Sequence, residues 1–276
     1  MKRSVFSLLV FLFSALLVFS IWNIVKISAS YQEGEEVYSE LMTYVSISEP
    51  VPVSTRPEEN IPWKDSGNES AESSTEYTAF VNEDDTVWPV VDFAALQQIN
   101  PDIVGWIYIE GTQINYPIVQ GEDNDYYLSH LFDGTYNSAG CIFLDAACSD
   151  DFSSRHSIIY GHHMKNDTMF GELMGYKKQD YYDEHAVALF LTPTNRYKVA
   201  FFSGYVAKDP SDAWQLTFED GEYEEWLDSI IQKSCIMSEI SPELTNRIIT
   251  LSTCTYEFEN ARFVLHGILL EQTDGA

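Results

Sequence analysis

A cysteine and an arginine near the end of the chain have a spacing that suits nucleophilic chemistry. Cys254 ends the strand-like run Leu251-Ser252-Thr253-Cys254, and Arg262 opens the next apolar run. If the two runs are antiparallel neighbours, the turn between them brings Arg262 back beside Cys254. A guanidinium there would stabilise a thiolate, or the oxyanion that forms when a thiolate attacks a carbonyl. A Cys and an Arg that flank a turn are more often structural, so the pair by itself fixes no function.

Two adjacent histidines supply a candidate proton carrier. In Tyr160-Gly161-His162-His163-Met164 a strand-like run ends at a glycine and the histidines follow. Cysteine catalysis needs an imidazole that takes up the thiol proton and returns one to the leaving amine. We expect no metal at this pair, because adjacent residues in extended chain point to opposite faces and no CxxC or HExxH pattern lies nearby. The other histidines are interpreted as surface or packing residues: His130, His156, His185 and His266.

Eight strand-like runs must position these side chains. Each is short, rich in Val, Ile, Phe or Tyr, and bounded by turn residues. The runs are 104–109, 113–119, 140–144, 156–160, 186–191, 196–206, 247–254 and 262–271. Eight short strands with few helices predict a mostly β domain, either a closed barrel or a sandwich.

Two helices accompany the strands in this prediction. The first, 91–99, places Phe93, Leu96 and Ile99 on one side and ends before Pro101. The second lies between the sixth and seventh strands, where apolar residues follow the spacing i, i+3, i+4, i+7, i+8 of an amphipathic helix. Its apolar residues are Tyr223, Trp226, Leu227, Ile230 and Ile231.

The N-terminus has the pattern of a membrane anchor. Lys2 and Arg3 precede an uncharged apolar run, 4–22, which is long enough to cross a bilayer as a helix. Basic residues before such a run predict a cytoplasmic N-terminus and an extracellular domain. A signal peptide cleaved near Ser28-Ala29-Ser30 is the alternative, although its apolar region is usually shorter, about 7 to 15 residues.

Composition then divides the chain into three segments. We expect residues 1–30 to be a cytoplasmic tip and transmembrane anchor, and 90–276 to be the folded domain that carries the candidate catalytic residues. Between them, 31–89 is acidic and rich in Ser, Glu and Pro. Such a segment buries too little apolar surface to offset its ordering entropy, so we expect a largely disordered stalk with a helix only near 35–44.

Charge and cysteine content limit the partners. The 43 Asp and Glu against 15 Lys and Arg give a formal net charge of −28, which repels nucleic acid and anionic lipid headgroups. An exported domain could pair its four cysteines, Cys141, Cys148, Cys235 and Cys254. If Cys254 stays reduced as a nucleophile, three cysteines remain. Cys141 alternates with Phe143, which indicates a packed side chain, and Cys235 has no evident partner, so we expect no disulfide; a Cys141–Cys148 bridge is the alternative.

Several ordered motifs from 90 to 271 together resemble the class B sortases, membrane-anchored cysteine transpeptidases of Gram-positive bacteria. The motifs are Asn100-Pro101-Asp102-Ile103-Val104-Gly105-Trp106-Ile107, Ile114-Asn115-Tyr116-Pro117-Ile118-Val119-Gln120, Asp123-Asn124-Asp125-Tyr126-Tyr127-Leu128, Gly140-Cys141-Ile142-Phe143-Leu144-Asp145, Tyr160-Gly161-His162-His163-Met164, Thr168-Met169-Phe170 and Leu251-Ser252-Thr253-Cys254 with Arg262. Their number and order make the resemblance far more specific than any one motif.

The resemblance implies a fold and a set of site residues. The fold is the eight-stranded sortase β-barrel, with N-terminal helices and a helix between the sixth and seventh strands. Cys254 is implied as the nucleophile, His162 as the catalytic imidazole and Arg262 as the residue on the oxyanion side, with no chemical role for His163. By position, the residues implied to bind the sorting signal are Asn124, Leu128, Tyr160 and Ser252, with Trp214 in the loop over the groove.

The implied reaction is transpeptidation. A surface protein is cleaved after a Thr in its C-terminal sorting signal and joined, through a thioacyl enzyme, to an amine of a peptidoglycan precursor, with no cofactor. The motif is of the NPxTN kind usual for the class, or an LPxTG-like or PPxTG-like variant. Two other functions remain open: a secreted cysteine peptidase that hydrolyses its product, and a non-catalytic surface-binding module on an acidic stalk.

One position departs from the family pattern. Some relatives carry an Asp two residues after the cysteine, proposed to orient the histidine, whereas this chain has Tyr256. Glu257 and Glu259 are close in sequence, but their spacing does not show that either reaches His162. A Cys-His-Arg site is therefore expected, and a Cys-His-acid triad stays open.

Overall fold

The computed structural model describes residues 2–47 and 86–272. Its helices are α1 (Lys2–Leu41), α2 (Phe93–Ile99), α3 (Gln179–Glu184) and α4 (Glu222–Gln232). Its strands are β1 (Val45–Ile47), β2 (Pro89–Val91), β3 (Ile103–Tyr108), β4 (Asn115–Val119), β5 (Ile142–Leu144), β6 (His156–Tyr160), β7 (Val187–Leu191), β8 (Arg196–Lys208), β9 (Arg247–Cys254) and β10 (Ala261–Gln272).

Strands β3 to β10 form a closed barrel in the order β10-β8-β7-β3-β4-β5-β6-β9. The predicted eight-stranded barrel is confirmed, and the sandwich is excluded. Strands β6 and β9 have the predicted bounds, and the other six differ from theirs by one or two residues at an end. Large side chains fill the core, among them Trp106, Phe190, Phe201 and Phe263, each fully buried. Because closure leaves no unpaired edge, the strand ends are held in fixed positions.

Three neighbouring strands have one of their ends at the same rim of the barrel. Strand β9 lies between β6, to which it is parallel, and β10, to which it is antiparallel. In register, Ser252 pairs with both Tyr160 and Val264, and Cys254 pairs with Arg262. The end of β6, the end of β9 and the start of β10 therefore meet at one rim of the barrel.

Helix α4 covers the outside of the barrel, as its amphipathic pattern predicted. Its buried residues are Tyr223, Trp226, Leu227 and Ile230, which pack in a cluster with Phe202, Tyr205, Val264 and Ile268 of β8 and β10. Ile231, predicted on the same face, is 39% exposed. It lies at the edge of the apolar stripe, next to the end of the helix at Gln232.

The N-terminal helix differs from its expected extent. Helix α1 does not stop at the anchor but continues to Leu41, where Tyr38 and Leu41 are buried in the main core. The Tyr38 hydroxyl donates to the Gly140 carbonyl at 2.5 Å, and β1 pairs with β2 through Val45 and Val91. Residues 31–47 are therefore part of the folded structure. The rest of the predicted stalk up to residue 85 lies outside the described residues.

Helix α1 extends beyond the anchor because a short apolar stripe packs against the barrel. Gly34, Tyr38 and Leu41 follow helical spacing and face the barrel, but the acidic average of the long segment hides this short apolar stripe. Further towards the N-terminus, α1 is long and apolar enough to cross a membrane. An 18-residue stretch of Phe6–Tyr44 has a mean hydropathy of 2.5 and buries none of its surface against the protein.

Candidate active site

All eight residues predicted for the site line one cleft at this rim, with a volume of about 270 Å³. They are Asn124, Leu128, Tyr160, His162, Trp214, Ser252, Cys254 and Arg262. Phe143, Gly161, Asp209 and Thr253 complete the walls. The structure thus brings together residues that lie up to 138 positions apart, from 124 to 262.

Cys254 and Arg262 are direct neighbours across two strands. Cys254 is the last residue of β9 and pairs in register with Arg262, the second residue of β10. Residues directly opposite in an antiparallel pair place their side chains on the same face, about 5 Å apart at Cβ. Both side chains are half-buried, so the thiol is open to a substrate. The guanidinium lies 3.8 Å from Asp209 Oδ2, a long contact that leaves most of its donors directed elsewhere.

The backbone before His162 is tied to β9 on the other side of the cysteine. Gly161 N–H donates to the Ser252 carbonyl at 3.1 Å, and the Thr253 hydroxyl donates to the Gly161 carbonyl at 2.8 Å. A Cβ on Gly161 would lie 2.4 Å from Ile142 Cδ1, so only glycine permits this close approach. His162 is consequently held beside the end of β9.

The two histidines face different partners. His162 lines the cleft, and its Nε2 lies 2.8 Å from the Leu128 carbonyl oxygen. Because a carbonyl oxygen only accepts, Nε2 carries a proton, and Nδ1 is left as the nitrogen that gains or loses one. His163 does not line the cleft; its Nδ1 donates to the Cys254 carbonyl at 3.0 Å. The family resemblance implied no chemical role for His163, and its contact is with the backbone of the cysteine.

Asp145 supports the cleft from behind two of its walls, although its position in the sequence did not predict this. Its carboxylate is buried, and Oδ2 accepts from the Tyr160 hydroxyl and from the Asn124 amide, both at 2.9 Å. Oδ1 accepts from Ala147 N–H at 2.9 Å. Burial and the nearby Asp145 charge raise the pKa of Tyr160, so its hydroxyl stays protonated. The signal in the sequence was a single carboxylate directly after the apolar run 140–144.

Trp214 belongs to a short 3-10 helix, Asp212–Trp214, in the connection between β8 and α4. Its indole N–H donates to the Ser252 hydroxyl at 3.2 Å. Ser252 is almost fully buried, at 2% exposure, whereas Leu128, which also lines the cleft, is 41% exposed. The cleft therefore has a closed side under Trp214 and an open side at Leu128.

Comparison with known proteins gives this arrangement a family. The sortase domain model matches residues 107–269, more than half of the chain. The chain belongs to the sortase family. It is 37% identical over 163 residues to Sortase B of Staphylococcus aureus (strain NCTC 8325 / PS 47), which covers 59% of this chain and 67% of the relative.

Solved structures agree with this assignment. The S. aureus sortase B–substrate complex is 34% identical with a TM-score of 0.62, covering 66% of this chain and 85% of its own. A sortase B complexed with triglycine gives the same identity and TM-score, with coverage of 66% and 86%. The class B resemblance drawn from the sequence motifs is confirmed, and this sortase is a cysteine transpeptidase.

The residues at the positions considered for a third catalytic group, Tyr256 and Glu257, have partners other than His162 in this sortase. Tyr256 is 73% exposed and lies against the ring of His163 at 5.4 Å between centroids. The Glu257 carboxylate forms an ion pair with Lys177. Within residues 2–47 and 86–272, no three His, Cys, Asp or Glu side chains are grouped in a way that could hold a metal ion.

Proposed function

We propose that this sortase cleaves the sorting signal of a surface protein after a Thr. The Cys254 thiolate attacks the Thr carbonyl carbon, which forms a C–S bond, and the C–N bond of the peptide then breaks. Arg262 stabilises the negative charge on the carbonyl oxygen, and protonated His162 gives a proton to the leaving amine. The observation that carries this proposal is the presence of all three side chains in one cleft, with Arg262 directly opposite Cys254.

We propose further that an amine of a peptidoglycan precursor resolves the thioacyl enzyme. The amine nitrogen attacks the thioester carbon and forms an amide, the C–S bond breaks, and neutral His162 takes the excess proton. A similar protein has been solved as a sortase B–substrate complex and another in complex with triglycine. These relatives support a peptide donor and a short glycine peptide as the model amine for this chain.

The walls of the cleft fit an extended peptide. In this proposal the side chains that contact the sorting signal are those of Asn124, Leu128, Tyr160, Ser252 and Trp214. Asn124 and Tyr160 are both fixed by Asp145, so the peptide meets side chains that are already oriented. Such preorganisation lowers the entropy cost of binding.

The N-terminal helix gives the protein a single membrane anchor in this proposal. Lys2 and Arg3 remain in the cytoplasm, the apolar part of α1 crosses the membrane, and the barrel lies outside. Its predicted orientation follows from the charge before the apolar run. Membrane attachment places the cleft where exported proteins and lipid-linked wall precursors arrive.

The experiment uses the full chain in detergent with three fluorogenic peptides of the Asn-Pro-Ala-Thr-Asn, Leu-Pro-Ala-Thr-Gly and Pro-Pro-Ala-Thr-Gly types. We expect cleavage after Thr of at least one peptide, and an amide product when triglycine is added. Cleavage that yields only the free acid, at a rate independent of triglycine, would instead support a secreted peptidase. Absence of any reaction of the cysteine would support the non-catalytic module.

A further inference from the structure

A chain of buried polar side chains lies beneath helix α4 and takes no part in the chemistry proposed above. His156 of β6, Thr250 of β9 and His266 of β10 are at most 1% exposed. Thr250 Oγ1 lies 2.6 Å from His156 Nε2 and 2.7 Å from His266 Nδ1. The other nitrogen of the first ring, His156 Nδ1, lies 2.8 Å from the Gln215 carbonyl oxygen.

The partners fix where the protons are. The Gln215 carbonyl only accepts, so His156 Nδ1 carries a proton, and Nε2 of the neutral ring is an acceptor. Thr250 therefore donates its one proton to His156, and its oxygen accepts from His266 Nδ1–H. His266 Nε2 then carries a lone pair and no proton. This buried nitrogen has no hydrogen-bond partner in the described part of the protein. Burial lowers the pKa of both rings, that of His156 to about 4, which agrees with two neutral imidazoles.

In this series of hydrogen bonds, from His266 through Thr250 and His156 to Gln215, every donor points towards the loop over the cleft. Gln215 directly follows Trp214, whose indole donates to Ser252. The loop is held a second time by Trp226 of α4, which donates to the Asp212 carbonyl at 2.8 Å. Thr250 and Ser252 are two residues apart on β9, so their side chains lie on the same face of the strand. This face of β9 thus supports the loop directly at Trp214, through Ser252, and indirectly at Gln215, through Thr250 and His156.

We propose that His156, Thr250 and His266 are positioning residues that hold the Trp214 loop in the conformation that binds the sorting signal. This rests on the proposed function of the cleft. The arrangement is specific, because three apolar side chains would fill the same core without the cost of burying polar groups. What the polar chain adds is a directional bond to one carbonyl, and that carbonyl sits next to the tryptophan.

Thr250 offers a matched pair of variants. Thr250→Val keeps the shape and removes the hydroxyl, whereas Thr250→Ser keeps the hydroxyl and removes a methyl group. With the fastest-cleaved of the three peptides, we expect Thr250→Val to raise KM about fivefold to tenfold, as for loss of a buried hydrogen bond. Its kcat per titrated Cys254 thiol should stay within about twofold, and Thr250→Ser should resemble the wild type.

A spectroscopic measurement tests the proton arrangement separately. Long-range ¹H–¹⁵N correlation spectra of the ¹⁵N-histidine-labelled full chain show which ring nitrogen carries the proton. We expect the Nδ1–H form for His156 and His266 in the wild type and in Thr250→Ser. An Nε2–H form at His156, or equal KM values for the two Thr250 variants, would overturn the proposal.

Failure of the proposed function gives a different result. If the wild type does not turn over any of the peptides, the function is wrong, and binding of the same peptides to Cys254→Ala chains that also carry each Thr250 variant decides the inference. Weaker binding to the Val chain than to the Ser chain would support the positioning role. Equal binding, or no binding to either, would refute it.

Discussion

Replacing Asp145 by Asn tests whether the cleft is preorganised for a peptide. The wild-type carboxylate accepts three hydrogen bonds, from Tyr160 and Asn124 at Oδ2 and from Ala147 N–H at Oδ1. An Asn side chain of the same shape has one oxygen and one NH₂ group. If the oxygen of the introduced Asn accepts from Ala147 N–H, the introduced NH₂ group faces the NH₂ group of Asn124. In the flipped orientation the introduced NH₂ group faces the Ala147 N–H. Either way, one donor loses its acceptor.

The magnitude follows from this count. A hydrogen bond to a charged group contributes about 1.5 to 3 kcal/mol. Asn124 itself is exposed and can turn to water, so its loss appears as disorder in the cleft more than as instability of the fold. Since about 1.4 kcal/mol is a factor of ten, we expect KM for the sorting-signal peptide to rise roughly tenfold to a hundredfold. The kcat per titrated thiol should change little, because Asp145 does not contact the cysteine.

The assay is steady-state cleavage of the fastest of the three peptides, normalised by titration of the reactive thiol. Asp151→Asn is the matched control, because it removes the same charge from an exposed residue whose side chain accepts from Ser153 N–H. The control should leave KM unchanged. A folded Asp145→Asn chain with a KM within twofold of the wild type would refute the reasoning, as would a fall in kcat at constant KM.

Three further predictions follow from the same geometry. His162→Ala should lower the cleavage rate about a hundredfold or more and His163→Ala much less, since one lines the cleft and the other holds a carbonyl; the opposite ranking in steady-state assays would reverse the assignment. All four cysteines are unpaired in the structure, so mass spectrometry should find four thiols and no bridge, and a linked peptide would contradict this. Burial raises the pKa of Cys141 to about 12 and of Cys148 to about 11, so alkylation of these two should be about a hundredfold slower than in urea. Burial lowers the pKa of His156 to about 4, from about 6.5 in the unfolded chain. The contribution of the neutral ring to the free energy of unfolding is therefore full above pH 6.5 and is lost as the pH falls towards and through 4. Between pH 7.5 and 5 urea unfolding should show about 2 kcal/mol less stability from this ring, and His156→Asn should remove that part of the slope.

The sequence predicted the barrel because its strands carry the information locally. Each run is apolar, short and bounded by turns, so β6 and β9 were placed with their observed bounds. The site residues were found for a related reason. Cys254 and His162 each follow or end a strand, and strand ends of a closed barrel meet at a common rim.

The missed features depend on contacts between distant parts of the chain. Asp145 is conspicuous only when Tyr160 and Asn124 are seen to share its carboxylate. The role of His163 depends on a backbone carbonyl 91 residues away, and a pattern of side chains in the sequence cannot predict such a contact. The sequence predicted a helix near 35–44 but not its packing on the barrel, because a long acidic segment dominated the local composition and, within 31–44, only Gly34, Tyr38 and Leu41 are buried.

The central claim is that Cys254 carries the acyl group from a sorting signal to an amine. The most direct test incubates the full chain with the cleaved peptide, quenches it in acid and maps the adduct by mass spectrometry, with and without triglycine. We predict a thioester on the Cys254 peptide that disappears when triglycine is added, together with an amide-linked product, and neither species with Cys254→Ala. An adduct on another residue, or an amide product formed by the Cys254→Ala chain, would contradict the account.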